Sequence, residues 1–162
     1  MSAILVFANF DHRIALAIAL FCIVVVAGCM TLIDFQQHRL PNVYTGSLAL
    51  FSTFSLGMCG YLYDMASRTP RALIVGVGCT ILFLILHIVA KLGMGDVKYA
   101  YTVGFITGWF GLPALITAFM IMSFTAAFVA VGIFAVTRDS DLKIAYGPYM
   151  SLGLVVSLLI AT

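Results

Sequence analysis

From Tyr99 to Thr137 the chain carries no charged side chain, and Ile14–Ile33, Val43–Tyr63, Ala72–Ala90 and Ile144–Thr162 are equally free of charge. Each of these four runs is about as long as one crossing of a bilayer's hydrocarbon core, ~20 apolar residues, and the Tyr99–Thr137 run is long enough for two. Its break is predicted at Gly108-Trp-Phe-Gly-Leu-Pro113, where turn formers meet interfacial aromatics. The expected fold is therefore all-α: a polytopic membrane helix bundle of about six transmembrane helices, forming one transmembrane domain over residues 1–162. With 64% hydrophobic and 9% charged residues, against about a quarter charged in soluble domains, neither a soluble enzyme nor a disordered chain fits. The net charge of +2 is scattered, so nucleic-acid binding has no patch to rest on. Met1–Phe10 is apolar without a basic segment ahead of it and reads as an interfacial lead-in. Cys22, Cys29, Cys59 and Cys79 lie in apolar runs without a C-x-x-C pair and read as packing residues.

Six crossings fix a parity. One face then carries Arg39, Lys91, Lys98, Arg138 and Lys143, and the other Arg13, Arg68 and Arg71. The excess of basic residues makes the first face the cytoplasmic one. Asp34 ends the first run and Asp96 opens the fourth, so both belong to that face. A carboxylate at the edge of the hydrocarbon costs about 2.5–3.5 kcal/mol on insertion scales and is a functional candidate by default. Two facing carboxylates in a poorly solvated site share a proton. The ionised one can take a proton from water while the protonated one polarises an amide carbonyl. Position alone leaves a second reading open, in which Asp34 ends one helix at the water interface and Asp96 caps the next.

Gly93-Met94-Gly95-Asp96 places two glycines just before the acid. Lacking Cβ atoms, they allow unusual turns and the close approach of another chain, such as an extended peptide. Gly93-Met-Gly-Asp-Val-Lys98 resembles the G-x-G-D signature of intramembrane aspartyl proteases, in the G-x-G-D-V-K form of the type IV prepilin peptidases. Asp34-Phe-Gln-Gln-His-Arg-Leu-Pro-Asn42 is similar to that family's other catalytic segment, and Tyr146-Gly-Pro148 resembles its G-P element. The three segments occur in family order, and the short layout resembles the prepilin peptidases of tight-adherence (Flp/Tad) pilus systems.

The resemblance implies a multi-pass aspartyl endopeptidase of the bacterial inner membrane that cleaves the leader of prepilin-like protein substrates at the cytoplasmic face. Asp34 and Asp96 carry over as the catalytic pair, and Gly93, Gly95, Lys98, Arg39, Asn42, Gly147 and Pro148 as supports of substrate or site. No metal or organic cofactor is implied. Longer family members carry an insert with paired C-x-x-C zinc ligands and also methylate the new N-terminus; this chain has neither the insert nor those pairs. The implied partners are prepilin-like substrates and the lipid bilayer, and the residues are silent on oligomeric state.

Pro41 and Asn42 are placed to start the second helix. Arg39 and Lys98 either anchor the site at the headgroups, pair with a carboxylate, or only set topology. Pro148 either breaks the sixth helix or merely starts it. His87 is expected to hydrogen-bond a neighbouring helix, and Arg138, Asp139, Asp141 and Lys143 to form a solvated loop. Gly104 and Gly108 make a G-x-x-x-G that either brings two helices close or has no special role. The rival function is a small proton- or cation-coupled transporter or channel subunit using the same Asp pair. It predicts acids spread through membrane depth, whereas four of the six Asp fall in loops and the other two at one edge.

Overall fold

A computed structural model of the chain describes residues 14–29, 31, 42–90, 92–137 and 146–161. Arg13, Asp34, Arg39, Pro41, Lys91, Arg138, Asp139, Asp141 and Lys143 lie outside the described residues. Among those described there are six helices and no strand. They are α1 Ile14–Cys29, α2 Asn42–Leu62, α3 Arg68–Ala90, α4 Met94–Phe110, α5 Leu112–Thr137 and α6 Gly147–Ala161.

Two helices, over Arg68–Val89 and Leu112–Gly132, are long and apolar enough to cross a membrane. Only 22% of the most apolar window of each is buried, which is the opposite of a soluble protein's core helix. Ile74, Ile88 and Val89 on α3 and Phe124, Phe128 and Val131 on α5 all point outward, a surface that suits lipid and not water. The other helices are shorter or, in α2, carry more serine, threonine and glycine.

Helix α4 is the axis of the bundle. It packs against α2, α3, α5 and α6, and every residue from Thr102 to Trp109 is buried. Its contact with α3 is made by small residues on both sides. A Cβ on Gly104 would stand 2.7 Å from Cys79 Sγ and 3.1 Å from Gly76 Cα, and one on Gly108 would stand 2.7 Å from Val75 Cβ and 3.2 Å from Ala72 Cα. Lipid supplies no hydrophobic force between helices, so close backbone approach through small residues provides the attraction. The G-x-x-x-G has a packing role.

The same contacts fix the directions. Gly108 meets Ala72 and Gly104 meets Cys79, so α3 and α4 are antiparallel. Gly60, late in α2, lies against Trp109, late in α4, and Thr53 Oγ1 hydrogen-bonds the Tyr101 hydroxyl at 3.2 Å, so α2 and α4 run parallel. The starts of α2 and α4 therefore share one end of the bundle.

At the opposite end α4 turns into α5 through Gly111 alone. Its φ of 123° is one that only glycine adopts easily. Arg71 donates from Nε to the Gly108 carbonyl at 3.1 Å and from Nη2 to the Trp109 carbonyl at 3.0 Å. Those carbonyls belong to the last turn of α4 and need partners where water is scarce. By sequence Arg71 counts only toward the charge balance; in the fold it caps a helix.

Three boundaries differ from the sequence expectation. Helix α3 starts at Arg68, ahead of Ala72, and takes Pro70 into its first turn, where a missing N–H does no harm. Helix α4 starts at Met94, inside the expected Lys91–Lys98 loop, so Asp96 and Lys98 are helical. Gly147 and Pro148 open α6, so the proline starts that helix and does not break it.

Candidate active site

Asp96 lies in the first turn of α4 and is 8% exposed. Gly93 is the N-cap, and its carbonyl accepts the Asp96 N–H at 3.1 Å. Its φ of −63° and ψ of 137° are open to any residue, so the expected unusual turn is absent at this position. What Gly93 provides is room. A Cβ there would lie 3.0 Å from Asp96 Oδ2 and 3.6 Å from Cγ, so the carboxyl group folds back over the glycine at the amino end of the helix. Gly95 is the second helical residue and half-buried, and Lys98, two residues beyond Asp96, is exposed.

One turn along α4 from Asp96, the Tyr99 hydroxyl meets Ser151 Oγ of α6 at 2.8 Å, inside the protein. Ser151 Oγ in turn donates to the Ala27 carbonyl of α1 at 3.5 Å. That carbonyl also accepts Thr31 Oγ1 at 2.9 Å. The late turns of α1 and the early turns of α4 and α6 thus converge. Asn42 begins α2 at the same end. Asp34 and Arg39 lie outside the described residues, but the chain on either side of residues 32–41 is at the end where Asp96 stands. Gly147 is buried and Pro148 half-buried at the start of α6, four and three residues before Ser151.

Among the described residues, the hydrogen-bond partner of His87 is not on a neighbouring helix, where it is expected. Its Nδ1 hydrogen-bonds the Leu92 carbonyl in the connector that follows its own helix, directly ahead of Gly93. Tyr99 and Ser151 are absent from the sequence-derived site. The available signal is a phenolic hydroxyl inside an apolar run, which must find a partner, but nothing in the sequence names that partner. Among the described residues no group of three or more His, Cys, Asp or Glu could hold a metal ion.

A family model described as the type IV leader peptidase family matches residues 18–136, more than two thirds of the chain. The matched range includes Asp34, Arg39, Asn42, Gly93, Gly95, Asp96 and Lys98 and stops short of Gly147 and Pro148. No curated protein and no solved structure matches the chain.

Proposed function

The chain belongs to the type IV leader peptidase family, and on that footing we propose that it is an aspartyl endopeptidase of the bacterial inner membrane. It removes the basic leader of prepilin-like substrates of the Flp/Tad kind at the cytoplasmic face, without methyl transfer and without a metal or organic cofactor. Asp34 and Asp96 are the catalytic pair. One, ionised, takes a proton from a water molecule whose oxygen attacks the scissile carbonyl carbon, while the other, protonated, donates to the carbonyl oxygen. Collapse of the tetrahedral adduct breaks the C–N bond. The leaving nitrogen takes up the proton gained from water, and the carbonyl oxygen returns its own, restoring the pair.

The observation that carries this proposal is that residues on both sides of the 32–41 segment lie at the end of the bundle where the Asp96 carboxylate is buried. The test is cleavage of a purified prepilin-like substrate by the purified protein in proteoliposomes. A single cut that persists in EDTA is expected. No cut, or activity lost in EDTA and restored by added metal, would overturn the proposal.

Topology gives a separate check. With six crossings, cysteines placed at Gln37 and Met94 in a background lacking the native cysteines are expected to react with a membrane-impermeant thiol reagent only from the cytoplasmic side. One at Ser67, exposed in the turn after α2, reacts only from the other side. Opposite labelling of Gln37 and Met94 would mean that the two carboxylates cannot meet.

Gly93→Ala tests the room left for the acid. Alanine accepts the backbone angles at this position but presses its methyl group on Asp96 Oδ2. A shift of a few tenths of an ångström in a reacting group is expected to lower kcat about tenfold with little change in melting temperature. A parental kcat in Gly93→Ala would show that the glycine serves something else.

A further inference from the structure

We propose that Tyr99 and Ser151 are positioning residues for the Asp96 carboxylate, holding the first turns of α4 against α6 and α1. This rests on the reading of Asp34 and Asp96 as the catalytic pair.

The tie has a direction. Ser151 Oγ carries one hydrogen, which goes to the Ala27 carbonyl, so the hydrogen between Tyr99 and Ser151 comes from the phenol. The chain is Tyr99 O–H to Ser151 Oγ, and Ser151 O–H to the carbonyl of Ala27. Tyr99 is 1% and Ser151 6% exposed, so no water competes for these groups, and a broken link would leave a hydroxyl without a partner in the protein interior.

The Tyr99 end of this chain leads to Asp96, and the other end is anchored on α1. Tyr99 follows Asp96 by three residues on the same helix and so stands on the same face. Ala27 precedes Asp34 by seven residues in the chain. The Ala27 carbonyl also receives Thr31 Oγ1, the last described residue before Asp34. Helix α6 is the bridge: it opens at Gly147-Pro148, and Ser151, one turn further on, stands opposite Tyr99. Loosening the bridge lets α1 and α4 drift relative to each other while leaving each acid chemically intact. A reaction needing two carboxylates on one water is sensitive to such drift.

The experiment measures kcat, KM and melting temperature for Tyr99→Phe, Ser151→Ala and the double variant on a prepilin-like substrate, with Asp96→Asn as control. Tyr99→Phe removes one oxygen and keeps the ring. Each single variant is expected to lose about tenfold in kcat, with KM within about twofold of the parent. The double variant is expected to be no slower than the slower single, because both remove the same link. A purely structural hydrogen bond would lower the melting temperature and leave kcat unchanged in the folded protein. That result overturns the proposal, as do losses that multiply in the double variant or a rise in KM in place of a fall in kcat. If Asp96→Asn is inactive while Tyr99→Phe turns over at the parental rate, only the positioning role falls. If Asp96→Asn still cleaves, the aspartyl reading falls and the positioning role with it.

Discussion

Asp96→Asn is expected to abolish cleavage, lowering kcat by about 10³-fold or more. Asparagine has nearly the shape of aspartate, so it fits the space over Gly93 and keeps the start of α4. What it loses is the ability to hold a negative charge or to give up a proton, and the proposed reaction needs one of these from each acid. The same loss is expected for Asp34→Asn. The double variant is expected to be no worse than either alone, because two groups that act on one water molecule fail together. Single-turnover cleavage by purified protein of parental melting temperature is the measurement. Turnover by either folded variant within tenfold of the parent would remove the shared-proton mechanism.

Gly153→Ala is expected to give the largest loss of stability for the smallest change of side chain. Gly153 lies where α6 crosses α5, and a Cβ there would stand 2.5 Å from the Ala118 carbonyl oxygen and 3.3 Å from Met122 Cβ. The first of these is backbone and cannot rotate away, so the two helices must part. Overpacking of this kind costs about 1–3 kcal/mol, and the lost contact would loosen α6, which carries Ser151. Gly132→Ala is the control, since nothing lies within 4 Å of a Cβ at that position of α5. It is expected to be neutral or stabilising by up to about 1 kcal/mol. Thermal unfolding of the detergent-solubilised proteins measures both. Equal melting temperatures for Gly153→Ala and Gly132→Ala would mean that α5 and α6 do not cross as closely as described.

The second helix is legible almost to the residue, Val43–Tyr63 by absence of charge against Asn42–Leu62 in the fold. Asp64 and Arg68 bound that run with polar groups that stay out of hydrocarbon. The start of α4 is less legible. Gly93-Met-Gly-Asp reads as loop because glycine disfavours helix, yet Met94 and Gly95 are helical, held by a helix that is packed on every side. Gly93 is readable as special, but the unusual turn, one of the two reasons the sequence offers, is absent there. Its backbone angles are ordinary, and the Asp96 carboxylate is what a side chain there would crowd.

Sequence alone determined what depends on single residues and their order: membrane-like apolar runs, the two candidate acids, the G-x-G-D segment, and the expectation, from a count of six crossings, that both acids share one face. Hydrocarbon excludes charge so strongly that positions along the chain become positions in depth. Tertiary structure decided which helices touch and through which atoms. Arg71 reaches the end of α4, Gly104 faces Cys79, and Tyr99 meets Ser151 across 52 positions of chain. Helices that are apolar all round have no amphipathic stripe to announce a partner face. Which neighbour each one chooses depends on how small residues and buried hydroxyls fit together in three dimensions.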